Sequence, residues 1–178
     1  MKTTISILVA SLALISLLAA ATPVAHTSSD PLRLRNLDRY IRITERPFEM
    51  HDSTIAYCRP PEEVALNPHE PVHPETAFCN IYVNDKAKEP MLSGKGIYPE
   101  GSLVIKSKLV TVDSQKPLLF TVMEKMASGY DADRGNWKYT VIDGTSYRQV
   151  ASGRIDSCIA CHSHYNETDY ITREYIVQ

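Results

Sequence analysis

Two cysteines and a histidine stand close together near the C-terminal end of the chain. They occur in the segment Cys158-Ile159-Ala160-Cys161-His162, with two residues between the thiols. At this spacing each thiol can bond to one vinyl group of a porphyrin, and the adjacent imidazole becomes the proximal ligand of the iron. The motif predicts one haem c per chain, with Cys158 and Cys161 as covalent attachment residues and His162 as the axial iron ligand.

The same pair of thiols has two alternative interpretations. A zinc site of four thiolates needs a second cysteine pair, and no cysteine follows Cys161. A thioredoxin-like redox dithiol is expected in a βαβ setting near the N-terminus, whereas this motif lies near the other end of the chain. The spacing and the histidine therefore favour the haem interpretation.

The first residues are typical of a secretory signal peptide. Lys2 precedes an apolar run over residues 5–18, and three alanines follow at 19–21. We expect residues 1–25 to be this peptide, although an uncleaved membrane anchor is an alternative. Haem c is attached outside the cytoplasm, so export agrees with the haem motif and predicts a periplasmic protein.

Residues 26–178 are enough for a single domain with its own core. The net charge of -2 and the isoelectric point of 6.3 leave no basic excess to neutralise phosphates. Nucleic acid is therefore not expected as a partner.

Two further cysteines, Cys58 and Cys79, flank a segment rich in proline and glutamate. In an oxidising compartment such a pair predicts a disulfide, which would contribute roughly 3 kcal/mol by closing the loop. His69 and His73 lie within this segment. They could bind a metal or the haem iron, but exposed loop histidines are the simpler interpretation.

The middle of the chain predicts an α+β fold, mainly an antiparallel β sheet with a few helices, joined to a C-terminal haem-attachment segment. Residues 86–89 are expected to form at most one helical turn before Pro90, and Asp156 or Ser157 could cap a short helix carrying the haem cysteines. Four segments have the aromatic and β-branched composition of strands: 78–83, 102–110, 118–123 and 137–142.

Five segments, in this order and spacing, resemble the cytochrome P-460 family. They are Tyr98-Pro99-Glu100-Gly101-Ser102-Leu103-Val104-Ile105-Lys106, Met123-Glu124-Lys125, Gly129-Tyr130-Asp131, Gly135-Asn136-Trp137 and the haem motif. The resemblance covers roughly residues 82–170, and Cys58 with Cys79 is suggestive of a branch of the same family. It implies a mainly antiparallel β fold, commonly a homodimer, with one five-coordinate haem c and an open distal face. Some members oxidise hydroxylamine, and relatives of the cytochrome c-prime-beta type bind nitric oxide or carbon monoxide.

The resemblance also implies a role for Lys106, because enzymatic members join a lysine at this position to the porphyrin edge. Strand alternation places Lys106 and Lys108 on one face. Without the resemblance, Lys106 would be expected at a solvated edge. We expect Lys106 to lie at the haem edge, as a cross-link candidate, and Lys108 to lie at the surface.

Enzymatic members of the family are also expected to place a carboxylate over the open iron, where it manages protons. Thr121 falls near that position here. The nearest acid is Glu124, a candidate catalytic residue that alternation places on the face opposite Thr121 unless the strand contains a bulge. Phe120, Thr121 and Met123 are the candidate distal pocket residues, with core packing as the alternative for Phe120 and Met123.

The predicted function is that of a periplasmic mono-haem c protein that binds small nitrogen species such as hydroxylamine, with their oxidation as the leading activity. Its partners would be that small ligand and a redox partner protein. Because Thr121 stands in place of an acid, a non-catalytic protein that binds nitric oxide or another gas becomes a stronger alternative to the enzyme. An electron carrier is the third alternative, in which Met123, His69 or His73 would close the sixth iron position.

Overall fold

The chain folds around one antiparallel sheet, seen in a computed structural model that describes residues 31–50 and 76–176. The seven strands are β1 Ile41–Arg42, β2 Phe48–Glu49, β3 Phe78–Val83, β4 Leu103–Leu109, β5 Leu119–Lys125, β6 Trp137–Asp143 and β7 Gln149–Gly153. The described residues contain two α-helices, α1 Asp85–Ser93 and α2 Asp156–His162, and four short 3-10 helices at Pro31–Arg35, Leu37–Arg39, Ala132–Arg134 and Ser163–Thr168. The predicted α+β class with a mainly antiparallel sheet is confirmed.

The strands from β3 to β7 form a meander in which each strand pairs with the next one along the chain. β1 and β2 both pair with β3, on the side of β3 away from β4. The pairing of β4 with β5 and of β5 with β6 is continuous, whereas the pairing of β6 with β7 shifts its register between Val141 and Ile142. A continuous register means that side chains along β5 alternate strictly between the two faces of the sheet.

The two faces of the sheet carry separate hydrophobic clusters. One face, called here the cleft face, includes four buried apolar side chains from four successive strands: Ile81, Val104, Met123 and Tyr139. The other face, called here the outer face, carries a second cluster that packs beneath the N-terminal 3-10 helices: Leu34, Leu103, Ile105, Phe120, Val122 and Ile142. Each buried side chain of this size contributes roughly 1.5–3 kcal/mol relative to an exposed one, so both clusters stabilise the sheet.

Helix α1 is longer than the single turn expected before Pro90, so that expectation was wrong. The side chain of Asn84 caps the helix by accepting a hydrogen bond from the backbone N–H of Ala87, and Pro90 lies inside the helix. Ala87, Pro90 and Met91 are all buried. This packing offsets the one hydrogen bond that proline removes. Within the described residues, no helix has the length and apolar character needed to cross a bilayer.

Candidate functional site

A deep cleft lies between the cleft face of the sheet and the segment formed by α2 and the residues after it. It contains about 1140 Å³ of space, counted to its open mouth. This space includes solvent at the mouth, so the site is an open cleft and not a closed cavity. Its walls come from the sheet, from β2 and Met50, and from the C-terminal segment.

Helix α2 brings the three residues of the haem motif to this cleft. Cys158, Cys161 and His162 all line it. Residues three and four positions apart share one face of a helix, which is why the spacing of this motif can present two thiols and an imidazole together. Ile155 and Ile159 pack against the core cluster of the cleft face and so hold the helix in place.

The imidazole of His162 is oriented by one short hydrogen bond. Its Nδ1 lies 2.7 Å from the backbone carbonyl oxygen of Tyr170. A carbonyl can only accept, so Nδ1 carries the proton and donates it, which leaves Nε2 as the ligand atom. The His162 ring also lies 5.6 Å from the ring of Tyr139 on β6, centroid to centroid.

The surroundings of His162 keep its ring neutral. Burial lowers the pKa of His162 to about 4, against the hydrogen bond to Tyr170, which raises it, and the charge of Lys106 lowers it further. A neutral imidazole is the form that binds a metal. At neutral pH no proton has to leave Nε2 before iron can bind there.

The donors present fit a haem. Two thiols and one tautomer-fixed imidazole face a cleft whose lining is mainly apolar, and a porphyrin needs such a lining around its macrocycle. Over the described ranges, 31–50 and 76–176, no three His, Cys, Asp or Glu side chains converge as a ready metal site. Cys158, Cys161 and His162, which all line the cleft, are the residues that would hold a haem and its iron.

Lys106 lies on β4, in the part of the cleft wall that the sheet forms. Its Cα pairs with those of Ile81 on β3 and Thr121 on β5, and the side chain lines the cleft. It is close enough to His162 for its charge to affect the imidazole. The position is compatible with contact between the lysine and a porphyrin edge, and the cross-link itself stays a prediction.

The structure separates the other candidate pocket residues into two groups. Thr121 and Met123 line the cleft, as alternation along β5 requires. Phe120 does not, because it belongs to the cluster on the outer face. Glu124 also lies on the outer face, opposite Leu103 and Lys138, and its carboxylate is 2.7 Å from the Lys138 ammonium. The continuous register of β5 contains no bulge that would turn Phe120 or Glu124 toward the cleft.

Lys108 is fully buried, so the expectation of a surface position was wrong. It lies in the register row of Cys79 and Leu119, and a lysine can bury its long aliphatic stem against apolar surface. Cys79 is buried on β3 and also lines the cleft. Cys58 and the loop histidines His69 and His73 lie outside the described residues, so the Cys58–Cys79 disulfide stays a prediction.

Several cleft residues were not identified from the sequence. Tyr139 could have been found by continuing the alternation of β6, whereas Met50 gave no sequence signal. Among the described residues that line the cleft, Glu174 is the one carboxylate, and it accepts a hydrogen bond from the Tyr165 hydroxyl at 3.1 Å. It comes from the irregular segment after α2, where no periodicity could assign it to a site.

Comparison with known proteins agrees with this geometry. The family model described as Cytochrome P460 matches residues 61–173, which is more than half of the chain. No curated protein matches the chain. The matched region contains the sheet from β3 to β7 and the whole haem motif. The family match implies a haem cofactor.

Proposed function

Because this chain belongs to the cytochrome P460 family, we propose that it is an exported, periplasmic haem c protein whose iron binds small nitrogen species. In this proposal Cys158 and Cys161 carry one haem, and His162 ligates its iron from one side. Hydroxylamine is the leading substrate, and its oxidation is the leading activity. The electrons would pass to a redox partner protein.

The observation that carries the proposal is the oriented imidazole at the attachment motif. The bond from His162 Nδ1 to the Tyr170 carbonyl directs Nε2 away from the backbone and into the cleft that both thiols line. A buried histidine with a purely structural role would not need two thiols on the same helix face. The arrangement supports a ligated, covalently attached haem more directly than any other cofactor.

The cleft also supports binding of a small ligand on the side of the iron away from His162. No second histidine lines the cleft among the described residues. The sheet wall supplies Lys106, Thr121 and Met123, of which Met123 is the candidate for closing the sixth position. The proposal assigns Met123 to packing, because it is 6% exposed and belongs to the core cluster with Val104 and Tyr139.

The chemistry of hydroxylamine oxidation needs both an electron acceptor and proton acceptors. The bound haem iron would supply the ligand position and take up electrons. Glu174 is exposed at the cleft and hydrogen-bonded to Tyr165, so it can pass protons from the cleft to water. Thr121 can donate or accept a hydrogen bond but cannot serve as a strong base at neutral pH.

Reversible binding of nitric oxide without turnover is the second candidate function. One observation favours it. Thr121 lines the cleft on β5, at the position where an enzyme of this kind would need an acid facing the bound ligand. A cleft whose sheet wall has no carboxylate among the described residues can hold a gas ligand that requires no proton transfer. The two candidate functions differ in whether the protein consumes hydroxylamine or only binds its ligand.

The test uses the purified haem-loaded protein with hydroxylamine and an artificial electron acceptor. We expect hydroxylamine to perturb the visible spectrum at once and then to be consumed. Binding of hydroxylamine without consumption, together with reversible binding of nitric oxide, would assign the gas-binding function. A low-spin iron whose spectrum neither ligand changes would contradict both candidates and indicate electron transfer.

Two matched variants test the proton pathway. Glu174→Gln removes the carboxylate at the cleft, and Glu124→Gln makes the same change on the outer face. General acid–base catalysis typically contributes about 10²–10⁴-fold, and water can replace an exposed group in part. We expect Glu174→Gln to slow turnover near or below the lower end of that range and Glu124→Gln to leave it unchanged. Equal rates in both variants would remove Glu174 from the pathway.

A further inference from the structure

We propose that the ion pair of Lys125 and Asp169, called here the latch, positions the iron ligand His162 by fixing the carbonyl to which its imidazole donates. The inference rests on the proposed haem c function. In the sequence, Lys125 and Trp137 belong to the segments that resemble the cytochrome P-460 family, but the sequence assigns them no role. The latch explains what these residues do in the molecule.

The carbonyl in question belongs to a backbone turn of unusual conformation. Asp169 and Tyr170 have φ angles of 52° and 67°, which are left-handed values in two consecutive residues that are not glycine. Side chains with a Cβ atom disfavour this conformation. Such residues keep it only where their surroundings hold it. Without that support the Tyr170 carbonyl would not stay 2.7 Å from Nδ1 of His162.

Three separate parts of the fold hold Asp169 in this turn. The Nζ atom of Lys125 on β5 lies 2.6 and 2.7 Å from the two carboxylate oxygens. The backbone N–H of Tyr98 donates to the same carboxylate at 2.8 Å. The indole N–H of Trp137 on β6 donates to the backbone carbonyl of Asp169, also at 2.8 Å. The turn is therefore attached to the sheet through both its side chain and its backbone.

The latch is buried and lies next to an aromatic ring. The side chains of Lys125 and Asp169 are 7% and 8% exposed. The Lys125 ammonium lies 4.8 Å from the centroid of the Trp137 ring, and Trp137 is the register partner of Lys125. A buried ion pair need not add net stability, but it strongly disfavours arrangements that separate its charges. The pair therefore restricts where the turn can lie.

The position of this turn affects the iron through the imidazole. A hydrogen bond from Nδ1 to a carbonyl makes the histidine a more basic ligand and fixes its orientation. A more basic ligand stabilises ferric iron over ferrous iron, and hydrogen bonding around the ligand is one means by which a protein sets haem potential. Loosening the latch should weaken this bond and raise the midpoint potential.

The test compares the haem-loaded wild type with Asp169→Ala, which removes the contacts to both Lys125 and Tyr98. We expect an upward shift of the midpoint potential and a lower iron–histidine stretching frequency in the ferrous protein. Asp169→Asn keeps an acceptor for the Tyr98 N–H and tolerates the left-handed conformation. Its midpoint potential and stretching frequency should therefore lie between those of the wild type and of Asp169→Ala. Glu124→Gln is the matched control, because it breaks the ion pair of Glu124 and Lys138, which joins β5 to β6 on the outer face and away from the cleft. It should leave both quantities unchanged.

An unchanged potential and stretching frequency in haem-loaded Asp169→Ala would overturn the inference while leaving the proposed function intact. An equal shift in Glu124→Gln would also overturn it, since the effect would then reflect general destabilisation. If Asp169→Ala does not fold, the pair Lys125→Met with Asp169→Ala removes the uncompensated lysine charge and should show the same upward shift. A wild-type protein without covalent haem would overturn both the inference and the proposed function.

Discussion

The most direct stability test of the region behind His162 is the variant Gly135→Ala. Gly135 has a φ angle of +70°, and a Cβ atom added there would lie 2.6 Å from Cδ2 of the Tyr170 ring and 3.0 Å from a carboxylate oxygen of Asp169. The ring cannot retreat freely, because the Tyr170 hydroxyl donates to the backbone carbonyl of Asp133 at 2.8 Å. The substitution therefore adds steric overlap to backbone strain.

The expected loss can be built from these two effects. A left-handed alanine costs roughly 1–2 kcal/mol, and overpacking against a held side chain costs roughly 1–3 kcal/mol. Gly135→Ala should therefore lower the free energy of unfolding by about 2–5 kcal/mol. The measurement is denaturant unfolding of the haem-loaded protein followed by far-ultraviolet circular dichroism.

Gly129→Ala is the matched control for this measurement. Gly129 has a φ angle of +94° in the same connection between β5 and β6, and nothing lies within 4 Å of its added Cβ. It should show the strain alone, roughly 1–2 kcal/mol. Equal losses in the two variants would refute the reasoning, because the contact between Gly135 and the Tyr170 ring would then contribute nothing.

Three further predictions concern covalent bonds. Acid extraction should leave haem on the wild-type polypeptide, as mass spectrometry can show, whereas Cys158→Ser with Cys161→Ser should release it; free porphyrin from the wild type would contradict this. If Lys106 is cross-linked, the reduced protein should have a strongly red-shifted Soret band that Lys106→Ala abolishes, and an ordinary haem c spectrum would exclude the bond. Non-reducing peptide mapping should find Cys58 joined to Cys79, and two thiols that react with alkylating reagents would disprove the disulfide.

Most strands of the sheet are predictable because the composition and the turns that mark them lie within each short segment of the sequence. The four predicted strands agree with β3, β4, β5 and β6 to within about two residues, since each has the composition of a buried strand and ends at a turn. Alternation along β5 also places Thr121 and Glu124 on opposite faces, and the structure has them there. The spacing of the haem motif predicted one helix face, and α2 provides it.

The remaining features depend on contacts between distant parts of the chain. β1 and β2 have two residues each, too few for a periodic signal. Pro90 stays inside α1 because tertiary packing holds it, which the local rule for proline does not include. The partner of His162 is a backbone carbonyl, and no side-chain pattern marks it. Lys108 is fully buried, which the composition and alternation of its own strand could not reveal.

The meander has a consequence for the order in which the protein matures. Each strand from β3 to β7 pairs with its neighbour in the sequence, and contacts between sequence neighbours close at low entropic cost. The floor of the cleft can therefore form without the cofactor. Cys158, Cys161 and His162 lie on one helix of seven residues that follows β7. If haem c is attached as proposed, the haem would meet a sheet that is already folded, and its attachment would join the final segment to that sheet.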